Sequence, residues 1–325
     1  MTYRSILKQA WRTTCKNKYL WFFGLFAVLL GNNGGLEAVF NLLFQQDSNF
    51  AIGFKRYIDT GVFSLTGLAS LGRFIVEDTL SFIILLTVLL IFAVLGVFLI
   101  WLSVVSQAVL VNNAAQDETG KEHSFKKGME LGVTKFWPVF GLNFGFKILI
   151  GLIVILVGFP AMLSVGRLGL TISNIVFVLL FILFIPIVIA LSFILRYAVC
   201  FVVLKGQKTK EALTNAWVLV RANWLISLEM SLALLGINLG VTIAIILAFL
   251  ILAIPILFLA FMFAKFSFVF LFWLVITISL LISFFVIVLS GALLATFQTA
   301  AWTSLFIQLT GKGGISKLVR IFGKK

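Results

Sequence analysis

Apolar residues in this chain do not alternate with polar ones; they run together. Residues 80–111 contain no charged side chain, residues 136–165 only Lys147, residues 170–204 only Arg196, and residues 222–311 only Glu229 and Lys265. A helix needs about 20 apolar residues to cross a bilayer. The first three runs therefore predict one span each. The last predicts two long spans that turn near Pro255 and Lys265, with four short ones as the alternative. A shorter stretch, residues 19–30, reaches only about 18 Å as a helix. It crosses only as part of a helix over residues 14–34, with Lys16 and Lys18 snorkelling to the interface. The pattern predicts an all-α polytopic membrane bundle of about six transmembrane helices.

The polar stretches between the runs have their own order. Arg4, Lys8, Arg12 and Lys16 recur every fourth residue, which places them in one helical stripe, with Tyr3, Ile6, Leu7, Ala10 and Trp11 on the apolar side. Phe125, Met129, Val133 and Phe136 share a face in the second stretch, and Leu213, Ala216, Trp217 and Val220 in the third. At the C-terminus Leu318, Val319 and Phe322 oppose Lys317, Arg320 and Lys324. The first three stretches end alike, at Lys18-Tyr19-Leu20-Trp21, Lys135-Phe136-Trp137 and Arg221-Ala222-Asn223-Trp224. "GLNFG" at 141–145 also matches "GINLG" at 236–240, and Pro160 and Pro255 follow in the same register. These matches predict three tandem pseudo-repeats in a single membrane domain, units 1–119, 120–205 and 206–325. Each unit is an amphipathic cytoplasmic interfacial helix followed by a two-span hairpin. The first alone carries an outside segment, 31–79, where "LEAVFNLLF" and "FKRYIDTGVFSL" predict short interfacial helices.

Composition excludes a soluble protein. The chain is 62% hydrophobic and 11% charged, against about 45–50% and 25% in soluble domains. Its net charge of +14 does not require nucleic acid, because the cations hug the membrane and an anionic leaflet attracts each by about 1 kcal/mol. Eighteen Lys and Arg fall on one side of the six-span arrangement and five on the other. The positive-inside rule then puts both termini in the cytoplasm. The N-terminal basic region is too long for a secretory signal, and no small-residue cleavage site follows it. Cys15 and Cys200 both fall on the cytoplasmic side, where a disulfide is not expected.

Few residues carry chemistry. The one histidine, His123, lies in a polar loop near Asp117, Glu118 and Glu122, without the ligand spacing of a calcium loop. No nucleotide, hydrolase or zinc-protease motif occurs, so neither enzyme activity, metal nor cofactor is expected. Lys147 falls about 15 Å beyond Trp137 along a helix, near the midplane, where a cation is expensive and a functional candidate. One reading is a polar cavity of Asn143, Lys147, Arg196, Glu229 and Asn238 that takes an anionic guest. The other is an Arg196–Glu229 pair near the inner interface with Lys147 snorkelling. The Gly141/Gly145 and Gly236/Gly240 pairs have the spacing for close helix packing, between spans three and five or across a homodimer.

"WRTTCKNKYLWFFGL" and the arrangement after it resemble a loose group of six-span bacterial membrane proteins. That group is similar to the membrane domain attached to some glycerophosphodiester phosphodiesterases. The resemblance implies a bacterial cytoplasmic-membrane protein tied to lipid or the envelope. It implies no catalysis, which belongs to a separate barrel domain rich in histidines and acidic ligands. The expected function is non-enzymatic: binding or organising anionic phospholipid or a membrane partner, with a homo-oligomer possible in principle. The alternative is a permease for a small or lipid-like anion that uses the Lys147 region.

Overall fold

The computed structural model describes residues 3–28, 79–118, 125–164 and 170–312. Among these the protein is all-α, with eight helices: α1 (Tyr3–Lys16), α2 (Leu20–Val28), α3 (Thr79–Glu118), α4 (Phe125–Thr134), α5 (Phe136–Ser164), α6 (Leu170–Leu204), α7 (Thr209–Lys265) and α8 (Val269–Lys312). Five of them, α3 and α5–α8, are long and apolar enough to cross a membrane, so the chain is a polytopic helical membrane bundle. The segment 31–79 but for its last residue, the His123 loop and the C-terminal basic stretch lie outside the described residues. The chain divides into two compact units, Met1–Glu37 with Leu102–Lys325, and Ala38–Trp101. The second contains the apolar first part of α3; the rest of α3 and all other helices belong to the first.

Helices break where the aromatic–basic junctions lie, and the cause is local each time. The expected continuous helix over residues 14–34 does not form: α1 stops at Lys16 and α2 starts at Leu20. The Trp21 indole N–H donates to the Thr14 carbonyl at 2.9 Å, satisfying one of the acceptors a helix end leaves free. Between α4 and α5 the reason is Pro138. It has no N–H for the Thr134 carbonyl four residues back, so it is tolerated only in the first turn of a new helix. In α7 the backbone leaves helical geometry at Asn223 (φ −132°, ψ 31°), whose side-chain amide donates to the Leu219 carbonyl at 3.2 Å, the local competition expected of asparagine.

Residues 222–311 form two long spans. They turn at residues 266–268, and Pro255 sits inside α7 rather than at the turn. Ser267 adopts φ 61°, and the Phe268 N–H reaches back to the Phe263 carbonyl at 2.9 Å, a Schellman ending with serine where glycine is usual.

These helices are longer than a membrane is thick. The 57 residues of α7 and 44 of α8 extend about 85 and 65 Å, against about 30 Å of hydrocarbon. Burial divides them. In α8 nothing before Ala292 is buried, whereas Ala292, Ala295–Gln298 and Ala300–Phe306 are. In α7 burial runs from Ala212 to Leu234 and recurs only at Ala260. The core therefore sits at the ends of α6, α7 and α8 near the junctions, joined by α1 and by residues of α3 and α5. Three short helical segments pack on it: α1 on α8, α4 on α3, and the start of α7 on α6.

Candidate functional site

Beyond the core, α7 and α8 part. Between them lies a crevice of about 970 Å³, running along residues 237–257 of α7 and 276–297 of α8. Twenty residues of helix give it a length of about 30 Å, the thickness of bilayer hydrocarbon. Its walls are apolar except for Ser279, Ser283 and Ser290. The hydroxyls of Ser279 and Ser290 are turned back onto their own helix, donating to the Val275 and Val286 carbonyls at 2.7 Å each. Ala244, Ala248 and Ala253 stand on the α7 wall. Small residues on paired helices normally let the backbones close up. Here the helices are joined at one end by the turn and at the other by the core, and the space between them stays open.

At the end of the crevice nearer the core stands Trp11 of α1, whose ring meets Phe297 edge-on at 6.1 Å between centroids. α1 lies across the helix ends as a strap. At one end the Tyr3 hydroxyl donates to the Glu229 carboxylate of α7. At the other the Thr13 hydroxyl donates to Asp117 of α3, which Lys16 approaches at 3.9 Å. Tyr19, just beyond the strap, has its phenol pushed above the ordinary range by burial first and by the Asp117 carboxylate second, so it stays neutral.

Of the residues expected to form one polar cavity, Asn143, Arg196, Glu229 and Asn238 are buried or half-buried with partners, and Lys147 is exposed. Asn143 is buried and donates to the Gln107 side-chain oxygen at 2.7 Å and to the Val139 carbonyl at 2.9 Å. Lys147, one turn further, is exposed, because α5 is embedded on one side only. Arg196 is 9% exposed, with its guanidinium carbon 4.7 Å from the Trp302 ring centroid. Neighbouring Tyr197 shares a 2.8 Å hydrogen bond with Ser227 and meets Trp302 edge-on. Glu229 is half-buried and engages Tyr3; Asn238 is half-buried.

The expected packing of spans three and five through glycine is corrected too. A Cβ added at Gly141, Gly145, Gly236 or Gly240 would meet nothing within 4 Å. The glycines that do carry close approach are others. At Gly24 an added Cβ would fall on the Ala292 carbonyl and Thr296 hydroxyl, and at Gly132 it would sit 2.8 Å from Val109 and 2.9 Å from the Val105 carbonyl.

The apolar faces of the short segments are buried only in part. Gly128 and Gly132 are buried while Phe125 and Val133 are exposed; Ala212, Ala216 and Val220 are buried while Leu213 and Trp217 are exposed. On the apolar side of α1, Ile6 and Ala10 are buried and Trp11 is 52% exposed. Small side chains face the neighbouring helix and large apolar ones face outward, as befits a surface solvated by lipid. The small residues spaced four apart were the available signal for these contacts and for the crevice.

Compared with protein-family models, curated proteins and solved structures, the chain matches none.

Proposed function

We propose that this protein is a non-enzymatic bacterial inner-membrane protein that binds lipid and organises it around the bundle. The observation that carries this reading is the crevice between α7 and α8. A void of about 970 Å³ between apolar walls is not sustained in a membrane when hydrocarbon chains can fill it, since unfilled walls forfeit their dispersion contacts. The resemblance to the membrane domain found beside lipid-directed phosphodiesterases points the same way. The permease alternative gains no support from Lys147, which is exposed rather than set in a cavity.

In this reading both termini are cytoplasmic and three tandem units build the bundle, each opening with an amphipathic helix on the inner leaflet. Register supports the units. Counting back from the breaks at Asn17, Lys135 and Asn223, the buried pairs Ala10 and Thr14, Gly128 and Gly132, and Ala216 and Val220 occupy the same two positions. Gln107 through Lys121 and Gln298 through Lys312 likewise share the ending Thr-Gly-Lys at one spacing.

Native mass spectrometry of detergent-purified protein tests the function. Lipid should survive delipidation as a bound adduct, and a lipid-free mass under conditions that keep the fold would refute the reading. Labelling of cysteines placed in residues 40–70 tests the topology: outside reagents should reach them, and protection would overturn the cytoplasmic N-terminus.

A further inference from the structure

Resting on the lipid-binding reading, we propose that the crevice holds one kind of lipid, an anionic phospholipid. Its acyl chains lie between α7 and α8, and its phosphate lies against Arg4 and Lys8 of α1. The chain site is the crevice flanked by Ala248 of α7 and Ser283 of α8, deep enough for acyl chains that enter from one interface. The headgroup site follows from the strap. Trp11 marks the inner mouth of the crevice, and Tyr3 is fixed to Glu229 of α7. The turns of α1 between those two anchors carry Arg4 and Lys8, both exposed.

Lys8 is three residues and Arg4 seven before Trp11, so all three share one face of α1, with Cβ atoms of neighbouring turns about 5–6 Å apart. The Glu229 carboxylate nearby accepts the Tyr3 hydroxyl, and α1 itself contains no acidic residue. Apolar walls, an indole at the mouth and two cations on the neighbouring turns of the same helix face select a diacyl chain pair with a negative head. A neutral lipid would leave the cations unused, and a polypeptide segment would bring backbone polar groups between walls that are almost wholly apolar.

Native mass spectrometry of the full chain, offered equal phosphatidylglycerol, phosphatidylcholine and diacylglycerol, separates the possibilities. Wild type should retain phosphatidylglycerol over phosphatidylcholine by about tenfold or more, the scale two interfacial cations give. Arg4→Gln with Lys8→Gln, at two exposed positions, should erase that preference and keep a bound diacyl lipid. Ala248→Phe with Ser283→Phe should displace every lipid, and Ala248→Leu should displace part of it if the larger pair does not fold. Equal retention of the two phospholipids, or an unchanged preference in the glutamine variant, overturns the headgroup assignment while the lipid-binding reading stands. Undiminished lipid in a folded crevice-filled variant overturns the site. Preferential diacylglycerol, or a second copy of the chain in place of lipid, overturns the proposal as well.

Discussion

The two halves of the α7–α8 hairpin are built from similar sequence and behave differently. Near the junctions Ile226, Met230, Leu305 and Phe306 are buried together with Ser227, Ser231, Thr303 and Ser304. Toward the turn Leu250, Ile254, Phe258, Phe261, Leu280 and Phe284 are all exposed. Hydroxyls share the packed interior with apolar side chains near the junctions, and large apolar side chains cover the surface toward the turn. The difference teaches where each solvent lies. The inner half is held by protein contacts, including buried hydroxyls that bond to their own helix or across to a neighbour. Among the described residues the outer half has few protein partners.

The largest effect expected from breaking this comparison is at Trp302. It is buried against Phe193, Tyr197 and the Arg196 guanidinium. Trp302→Ala should cost about 3–5 kcal/mol, read as a fall in melting temperature in detergent. Gly24→Ala comes next. Its methyl meets the α8 backbone, and overpacking of this kind costs about 1–3 kcal/mol; an unchanged melt would mean that α2 is not seated on α8. Tyr3→Phe removes a hydrogen bond to a carboxylate, worth about 1.5–3 kcal/mol when fully desolvated and less at this half-buried position. Protease access to α1 should rise in that variant.

The same kind of change in the outer half should do little or even stabilise. Gly141→Ala and Gly236→Ala meet no neighbour and should be neutral or gain up to about 1 kcal/mol from helix propensity. Ser267→Gly should relieve the left-handed turn residue by about 1 kcal/mol. A large loss at Gly141 would show that its face packs against another chain.

Much of the fold was legible. Charge-free runs mark the spans because an unpaired charge in hydrocarbon is costly, and the junctions mark the breaks, with a visible local cause in Pro138 and Asn223 and in the Trp21 indole bond to the Thr14 carbonyl. The site was less legible. Hydropathy is the same for an apolar residue facing lipid and one facing protein, so the shared faces did not tell that Phe125 and Trp217 are exposed while Gly128 and Ala216 are buried. The G-x-x-x-G spacing reports that a helix can be approached, not that it is, which is why Gly236 and Gly240 misled and Gly24 and Gly132 went unnoticed. Lys147 and Asn143 share a face by spacing, yet the edge of the packed core falls between them.

The central claim is that the outer half of α7 lies in hydrocarbon with one side against a lipid-filled crevice. Nitroxide scanning along residues 239–262, in a Cys15→Ser background and a reconstituted bilayer, tests it most directly. Outward positions such as Leu250 and Phe261 should be relaxed by oxygen and not by a water-soluble nickel chelate, and crevice positions such as Ala248 should be shielded from the nickel chelate. Relaxation by nickel along this stretch would place the hairpin in water and contradict the account.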